Sequence, residues 1–193
     1  TTEIYTLSLH DALPIYTTIF LFLGRIMKDK GIDELVEASR MLKEKYNDSI
    51  RIRVAGFFEE KYKEKFDQLT NIIEYLGYLD DTREEIIKCS ALVLPSYHEG
   101  LSNVLLEAQA IGRPVIASNI PGCKETFING VTGFAIEPKS SKDLITAMEM
   151  FHLLSYQEKS SMSFEARKYI EAYFDRQIVI KTYLKVMMGD ENQ

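Results

Sequence analysis

Cysteines and long apolar stretches are scarce in this sequence. Only two of its 193 residues are cysteines, and Cys89 and Cys123 lie far apart and fit no metal-ligand spacing. We therefore expect free thiols, buried or half-buried, in a protein of a reducing compartment. No apolar run approaches the roughly 18 residues that a membrane helix needs, and no secretory signal is recognisable. These features predict a cytosolic protein without a transmembrane segment.

Positive charge is also in short supply. Lys and Arg together number 23 against 29 Asp and Glu, which gives a formal net charge of -6 at pH 7. A nucleic-acid-binding protein usually presents a basic face, so this balance argues against such a partner. The sequence has no HExxH pair, no P-loop, no Ser-His-Asp order and no GxGxxG after its first strand. The missing dinucleotide fingerprint weighs against a dehydrogenase.

What the sequence does contain is an alternation of apolar runs and amphipathic segments. Its length suits one domain, and a hydrophobic content of 46% with a charged content of 27% is ordinary for a globular protein. We predict strands at 17–23, 50–55, 72–76, 91–94, 114–118 and 134–136. We predict helices at 32–46, 59–70, 82–89, from about 102, at 141–154, 155–173 and 175–188, and a helical turn at 121–127. This order indicates an α/β domain with about six parallel strands and a helical C-terminal tail.

The first fifteen residues differ from the rest. Residues 1–15 read TTEIYTLSLHDALPI and resemble the in-frame translation of a common short-read sequencing adapter. Pro14 would also interrupt a helix or strand there. We therefore expect a non-native, disordered extension in which His10 and Asp11 carry no functional weight, with the natural domain at 16–193. The alternative is a genuine N-terminal extension.

The most informative segment is 95–112, which reads PSYHEGLSNVLLEAQAIG. It lies between the apolar runs 91–94 and 113–117, so we interpret it as a loop and a helix between two parallel strands. Such a loop lies at the carboxyl end of a strand, where open α/β sheets bind ligands, and the helix start offers free backbone N–H groups to an anion. Glu99 lies in the loop and Glu107 in the helix, eight positions apart.

Glu107 shares a helical face with Asn103 and Ala110. If the helix begins near Ser102, Glu107 lies about 7 Å along the axis from its N-terminus, at ~1.5 Å per residue. A phosphate held at that terminus would leave a neighbouring sugar hydroxyl within reach of the carboxylate, and Glu99 would face the other end of the same ligand. This arrangement suits a nucleoside diphosphate sugar. Charged capping of the helix is the alternative, and it would explain Glu99 but not Glu107.

Two cations form the second part of the predicted site. Arg25 and Lys30 follow the first strand, five residues apart. They could neutralise a diphosphate leaving group, on which negative charge accumulates as a glycosidic bond forms. The alternative is that Arg25 and Lys30 are solvated charges of a surface loop. Lys28 is interpreted only as such a solvated charge. His98 is left without a role, and His152 is expected to be incidental.

The segments around these residues resemble one family. Residues 99–107, EGLSNVLLE, resemble the Glu-x7-Glu signature of retaining, GT-B-fold glycosyltransferases of family four. That family has similar residues at 24–31 (GRIMKDKG), 112–115 (GRPV) and 130–134 (GVTGF). Together these motifs are highly specific, and the resemblance covers 17–188.

The resemblance implies roles for the matching positions. Glu107 would bind the ribose hydroxyls of the nucleotide, and Glu99 would bind the transferred sugar. Arg25 and Lys30 would hold the diphosphate. Further donor-binding positions are Gly24, Gly100, Leu101, Ser102, Asn103 and, near the base, Tyr78.

The resemblance also implies partners and a limit. Residues 16–193 would be the Rossmann-like, C-terminal donor-binding half of a GT-B fold, without a metal or another cofactor. We expect transfer of a hexose from a nucleotide sugar, commonly UDP-linked, to a saccharide or lipid-linked acceptor in bacterial surface-polysaccharide synthesis. The acceptor would bind to a missing N-terminal half, so the chain alone is expected to be inactive, and the full-length enzyme would be cytoplasmic, at the inner membrane face. The alternatives are an epimerase or phosphorylase of the same fold and a non-catalytic nucleotide-binding module.

Overall fold

The computed structural model describes residues 17–175 together with Gln177 and Ile180. Strands and α-helices alternate along most of these residues, but the last two strands and the last two helices each follow one another directly. The strands are β1 (Thr18–Leu23), β2 (Ile50–Ala55), β3 (Ile73–Tyr75), β4 (Ala91–Leu94), β5 (Val115–Ser118) and β6 (Gly133–Ile136). The helices are α1 (Ile32–Tyr46), α2 (Lys63–Asp67), α3 (Arg83–Lys88), α4 (Asn103–Ala110), α5 (Ser141–Leu153) and α6 (Tyr156–Tyr173). The predicted extension 1–15 and most of the predicted helix 175–188 lie outside the described residues.

The strands form one parallel sheet in the order β3-β2-β1-β4-β5-β6. β1 pairs along its full length with β2, from Thr18 with Ile50 to Leu23 with Ala55, and its other edge pairs with β4. The chain adds strands outward from β1 in one direction and then, starting with β4, in the other. The topological switch point therefore lies between β1 and β4, where open α/β sheets bind ligands. The predicted Rossmann-like parallel sheet is confirmed.

The central strands are continuous apolar runs because they are buried. Every residue of β4 and β5 is buried. Phe20 of β1 contacts Phe151 of α5 edge to face, with ring centroids 5.8 Å apart. α1 buries Ile32, Leu35 and Leu42 completely, as the helical spacing of its apolar residues predicts. The strands and helices bury their apolar residues in this core. The loops at the carboxyl edge of the sheet remain accessible, and a site can form there.

The segment predicted as one helix at 59–70 combines 3-10 and α-helical turns in the structure. It forms a 3-10 helix at Glu60–Tyr62 that continues into the five-residue α2. The backbone tightens again at its end, where the Leu69 N–H donates to the Phe66 carbonyl three residues back. Tyr62, Phe66 and Leu69, which have the spacing of one helical face, are buried. Their packing, rather than regular helix bonding, holds this charged segment in place.

The segment predicted as a helical turn at 121–127 forms hydrogen-bonded turns instead of a helix. Gly122 adopts φ +86°, in the left-handed region, which interrupts right-handed winding. The Lys124 N–H still donates to the Ile120 carbonyl at 3.0 Å, so the segment stays compact.

Side chains cap the starts of α3 and α6. Ser155 and Glu158 form a capping box at the start of α6. At the start of α3 the Asp81 carboxylate accepts a hydrogen bond from the Arg83 N–H at 3.0 Å. Among the helices of residues 17–175, none has the length and apolar character that crossing a membrane requires.

Both cysteines are free and buried, as predicted. Burial raises the pKa of the Cys89 thiol and of the Cys123 thiol to about 12 in each case. Both therefore remain protonated and unreactive at neutral pH.

Candidate functional site at the carboxyl edge of the sheet

An ion pair joins the loops that follow β1 and β4. Lys30 lies in the 3-10 helix Lys28–Lys30 after β1, and Glu99 lies in the loop after β4. The Lys30 Nζ lies 2.6 Å from the Glu99 Oε1, and the Ser96 Oγ donates to the same oxygen at 2.8 Å. The two charged side chains are largely buried, with 21% and 13% of their surfaces exposed. Two residues predicted from separate motifs thus form one charged pair at the topological switch point.

The same two loops are interlocked through their backbones. The Tyr97 N–H donates to the Asp29 carbonyl at 2.8 Å. Gly31, with φ +71°, passes so close to Pro95 that a Cβ atom at position 31 would overlap the Pro95 carbonyl oxygen. Only glycine fits there, and this close approach fixes the spacing between the loops.

Helix α4 begins four residues after Glu99. Its first turn contains no acidic side chain, and its N-cap residue, Ser102, makes no side-chain capping bond, so the positive helix end is not neutralised locally. The Ser102 N–H is already used, because it donates to the Gly122 carbonyl at 2.9 Å. Within the described part of the chain, the N–H groups of Leu101 and Asn103 have no hydrogen-bond partner. These two N–H groups are therefore left for an anion.

The turn at Gly122 fixes the loop from its other side. A Cβ atom at position 122 would overlap the carbonyl oxygen of Gly100. The Gly122 N–H donates to the Glu125 carboxylate at 2.8 Å, which holds the turn in place. Beside Gly100 itself the space is open, since nothing lies within 4 Å of its Cβ position. The close backbone contact therefore positions Gly100 and leaves room for a ligand next to it.

A cavity of about 320 Å³ opens beside the carboxyl ends of β1 and β2. Its lining includes three predicted residues, Gly24, Arg25 and Tyr78, together with Phe57 and Val104. Val104 belongs to the first turn of α4, so the cavity extends to the helix N-terminus. The structure thus brings the loop after β1 together with the loop around Tyr78.

Bare backbone lines part of this cavity. The Gly24 N–H donates to the Ala55 carbonyl at 3.1 Å, and the Gly56 N–H donates to the Gly77 carbonyl at 2.9 Å. Gly56 adopts φ +141°, and a Cβ atom there would overlap the Gly24 carbonyl oxygen. The loops after β1, β2 and β3 are therefore joined by main-chain contacts that a side chain at position 56 would break.

Two aromatic rings stack at the edge of this cavity. The centroids of Phe57 and Tyr78 lie 4.2 Å apart, with 16° between the ring planes. Phe57 is 60% exposed and Tyr78 is 55% exposed. An exposed, flat aromatic surface next to a cavity suits a planar ligand such as a nucleobase. The sequence reasoning missed Phe57, because its contact with Tyr78 depends on β3 lying beside β2.

Glu107 lines a second cavity, of about 540 Å³, with Asp81 and Arg83 at the start of α3. Partial desolvation raises the pKa of the Glu107 carboxyl above its usual range. Thr82 borders both cavities, so they are neighbours. The predicted site residues therefore fall into three groups: the ion pair, and the two neighbouring cavities, one lined by the aromatic rings and the other by Glu107. No sequence signal pointed to Thr82 as the residue between them.

The other titratable groups considered in the sequence lie at the surface or at the opposite edge of the sheet. His98 and Lys28 are exposed. His152 has a structural contact that was not predicted, because its Nδ1 lies 2.9 Å from the Thr18 Oγ1 and its ring packs on Tyr46. Burial lowers the pKa of the His152 imidazole, and its partner Thr18 begins β1 at the amino edge of the sheet, opposite the site. Residues 17–175 contain no cluster of three or more His, Cys, Asp or Glu side chains that could hold a metal ion.

Sequence comparison finds relatives over most of the chain. The sequence model of the family described as "Glycosyl transferases group 1" matches residues 12–169. A relative from Campylobacter jejuni, N,N'-diacetylbacillosaminyl-diphospho-undecaprenol alpha-1,3-N-acetylgalactosaminyltransferase, is 32% identical over 170 residues. The matched region covers 87% of this chain and 44% of that protein, so the chain spans less than half the length of this relative.

Solved structures share the fold. A mutant of Staphylococcus aureus TarM, in complex with fondaparinux, alpha-GlcNAc-glycerol and UDP, superposes with a TM-score of 0.80 at 19% identity, over 94% of this chain and 38% of that one. The C-terminal domain of a group 1 family glycosyl transferase from Francisella tularensis superposes with a TM-score of 0.72 at 22% identity. That match covers 82% of this chain and 87% of the Francisella domain. The described residues therefore have the fold of a single C-terminal domain of this kind.

Proposed function

This chain belongs to the group 1 glycosyl transferases, and we propose that it is the C-terminal, donor-binding half of a retaining enzyme with the GT-B fold. The donor is a nucleotide sugar, UDP-linked, from which a hexose is transferred to a saccharide or lipid-linked acceptor in bacterial surface-polysaccharide synthesis. The observation that carries this proposal is the Lys30–Glu99 pair at the switch point between β1 and β4. A sugar diphosphate needs a cation for its phosphates and a carboxylate for its hydroxyls side by side, and this pair supplies both.

The diphosphate is held by cations and by the start of α4. Lys30 has three N–H donors and gives one to Glu99, so two remain for phosphate oxygens. Arg25 binds the same ligand from the aromatic cavity, and the N–H groups of Leu101 and Asn103, which have no partner among the described residues, bind it at the helix end. Negative charge accumulates on the diphosphate as its bond to the anomeric carbon breaks, and these groups stabilise that charge. No metal ion is needed in this scheme.

The two carboxylates bind hydroxyl groups on either side of the diphosphate. Glu99 uses its Oε1 for Lys30 and Ser96, which leaves Oε2 for the transferred sugar. Glu107 binds the ribose hydroxyls from the second cavity. The base lies against Tyr78, and the bare backbone at Gly24 lets the nucleotide approach closely. Gly100 and Ser102 shape the same loop.

Two of the similar proteins support UDP as part of the donor and a lipid-linked acceptor. TarM was crystallised with UDP. The name of the Campylobacter relative includes an undecaprenol diphosphate, which is a lipid-linked acceptor. Because this chain spans 44% of that relative, we assign acceptor binding to the part of the enzyme outside the match. The 193-residue chain is then inactive alone, and the complete enzyme works in the cytoplasm at the inner membrane face.

Calorimetric titration tests the proposal. UDP, GDP, ADP and NAD are titrated into the native chain, into Glu107→Ala and into Glu44→Ala, a control at an exposed position of α1. We expect UDP to bind most tightly, Glu107→Ala to lose at least tenfold in affinity, and the control to match the native chain. Equal affinity in Glu107→Ala contradicts the ribose role, and a preference for NAD contradicts the donor class.

Activity assays separate the alternatives. Sugar transfer by the 193-residue chain alone contradicts the proposal that it is half of the enzyme. Epimerisation of a UDP-sugar, or phosphorolysis of a glycoside, by the product of the complete parent gene favours the epimerase or phosphorylase. Binding of nucleotide with no turnover by that product favours a non-catalytic module.

The proposed donor domain occupies 16–193, with 1–15 as a non-native extension. Sequencing the parent gene across this junction tests the assignment. We expect the natural reading frame to diverge from residues 1–15 upstream of position 16. A natural gene that encodes TTEIYTLSLHDALPI in frame contradicts it.

A further inference from the structure

A hydrogen bond outside the predicted site holds the loop that carries Glu99. The Tyr97 OH donates to the Glu34 Oε1 of α1 at 2.7 Å. Tyr97 is 8% exposed, and burial together with the bond to Glu34 raises the pKa of its phenol, which therefore keeps its proton at neutral pH. Tyr97 precedes Glu99 by two residues and Glu34 follows Lys30 by four. The bond thus ties the loop of Glu99 to helix α1, which follows the loop of Lys30.

Two more contacts fix Tyr97. Its backbone N–H donates to the Asp29 carbonyl at 2.8 Å. The Lys139 Nζ lies 5.0 Å from the centroid of its ring, a cation–π distance. Lys139 adopts φ +62°, which is uncommon for a residue with a side chain. The hydroxyl, ring and backbone of Tyr97 are therefore each held by a different part of the chain.

Stability alone is a poor explanation for the Glu34 carboxylate. Its second oxygen, Oε2, is buried and has no hydrogen-bond partner among the described residues. A buried and unsatisfied carboxylate oxygen costs desolvation free energy, which one bond from a tyrosine offsets only in part. The carboxylate is better explained by what it orients, and what it orients is the ring two residues before Glu99.

We propose that Glu34 and Tyr97 are positioning residues that aim Glu99 at the transferred sugar of the donor. This inference rests on the proposed function, because it takes Glu99 as the sugar-binding carboxylate. Without this bond, the loop after β4 keeps its main-chain contacts with the loop after β1 but loses its side-chain anchor on α1, so Glu99 is positioned less exactly. A carboxylate that is out of place by a fraction of an ångström binds a sugar hydroxyl poorly, whereas the nucleotide is bound by other residues.

The test compares binding of UDP with binding of a UDP-sugar. Affinities for UDP and for UDP-glucose or UDP-N-acetylgalactosamine, whichever binds the native chain more tightly, are measured by calorimetry for Tyr97→Phe, Glu34→Gln and the double variant. Tyr62→Phe is the matched control, because the Tyr62 OH donates to the Asp33 Oδ2 of α1 at 3.0 Å, the same kind of bond one residue earlier in the helix. Tyr62 lies outside the loop of Glu99.

We expect each single variant to bind the UDP-sugar about tenfold more weakly relative to UDP. The double variant should lose no more than either single variant, because both remove the same bond. Tyr62→Phe should leave the ratio of the two affinities unchanged. An unchanged ratio in Tyr97→Phe, or the same change in Tyr62→Phe, overturns the inference.

Hydrogen exchange gives a second measurement that needs no ligand. We expect the backbone amides of residues 96–101 to exchange faster in Tyr97→Phe and Glu34→Gln than in the native chain or in Tyr62→Phe. If UDP fails to bind the native chain, the proposed function fails, and exchange alone then decides the positioning role. Equal exchange in all four proteins overturns that role.

Discussion

Lys30 and Glu99 lie 2.6 Å apart across the point at which the strand order of the sheet reverses. Only 13% of the Glu99 side chain and 21% of the Lys30 side chain are exposed, so this pair differs from a solvated surface ion pair. Its geometry is set by glycine at position 31 and by the main-chain bond from Tyr97 to Asp29. In the proposed function, the diphosphate meets an ammonium group that a carboxylate already orients.

Lys30→Met is expected to lower the free energy of unfolding by about 2 kcal/mol. It leaves the Glu99 carboxylate largely buried with Ser96 as its remaining partner, and an uncompensated buried charge is costly. Lys28→Met is the control, because Lys28 is an exposed lysine of the same 3-10 helix. Urea denaturation at pH 7 measures both. Equal stability of the two variants would show that the pair contributes nothing to the fold.

Tyr78→Ala is expected to weaken UDP binding by about tenfold or more, because stacking of a base on an aromatic ring contributes about 1–3 kcal/mol. Phe57→Ala is expected to act in the same direction, since Phe57 supports the Tyr78 ring at 4.2 Å. Inorganic diphosphate, which has no base, should bind both variants like the native chain. The control is Tyr156→Ala, an exposed tyrosine of α6. Weakening of diphosphate and UDP by the same factor contradicts the assignment of the base to this ring.

The sequence predicted the sheet well because buried parallel strands leave a simple pattern. β4 and β5 are short apolar runs, and their bounds were predicted to within one residue. The amphipathic spacing of α1 predicted its buried face for the same reason. Positions that follow a strand end were also predictable, since all carboxyl ends of a parallel sheet lie at one edge. For this reason the sequence alone predicts that Lys30 and Glu99, which follow β1 and β4, lie at the same edge of the sheet.

Contacts between loops were not predictable, because they depend on which strands are neighbours. Phe57 meets Tyr78 since β2 pairs with β3, and Tyr97 reaches Glu34 since β4 lies beside β1. The hydrogen bond from the Ser102 N–H to the Gly122 carbonyl was not predicted, for a similar reason. It depends on the approach of the Gly122 carbonyl, which comes from a turn beyond β5 that was predicted as helical.

Glu107→Gln should separate binding from stability. Partial desolvation raises the pKa of Glu107 in the folded state above its unfolded value. The stability linked to this group is therefore fully present below the unfolded pKa and is lost as the pH rises through the folded pKa. At pH 7 the charged carboxylate is unfavourable to folding, and glutamine removes that cost.

We therefore expect the stability of Glu107→Gln, measured relative to the native chain, to increase as the pH rises from 4 to 7. Its affinity for UDP should fall. Urea denaturation at both pH values measures the first effect and calorimetry at pH 7 the second. Glu44→Gln, at an exposed position of α1, is the control and should show neither. A relative loss of stability on going from pH 4 to pH 7 would reverse the predicted sign and contradict the desolvation argument.

Two glycines with nearly the same backbone conformation test whether the contact behind the Glu99 loop matters. Gly122 adopts φ +86° and Gly130 adopts φ +77°. A Cβ atom at Gly130 meets nothing within 4 Å, whereas one at Gly122 would overlap the carbonyl oxygen of Gly100. Gly130→Ala therefore carries only the strain of a positive φ, about 1 kcal/mol.

Gly122→Ala carries the same strain and must also push the loop at Gly100 away, so we expect it to lower the free energy of unfolding by about 3 kcal/mol or more. Because the displaced backbone includes Leu101 and leads into α4, Gly122→Ala should also lose measurable UDP binding, while Gly130→Ala keeps it. Urea denaturation and calorimetry on the two variants decide the point. If both alanine variants lose the same stability and both bind UDP, the close approach of Gly122 to Gly100 has no part in forming the site.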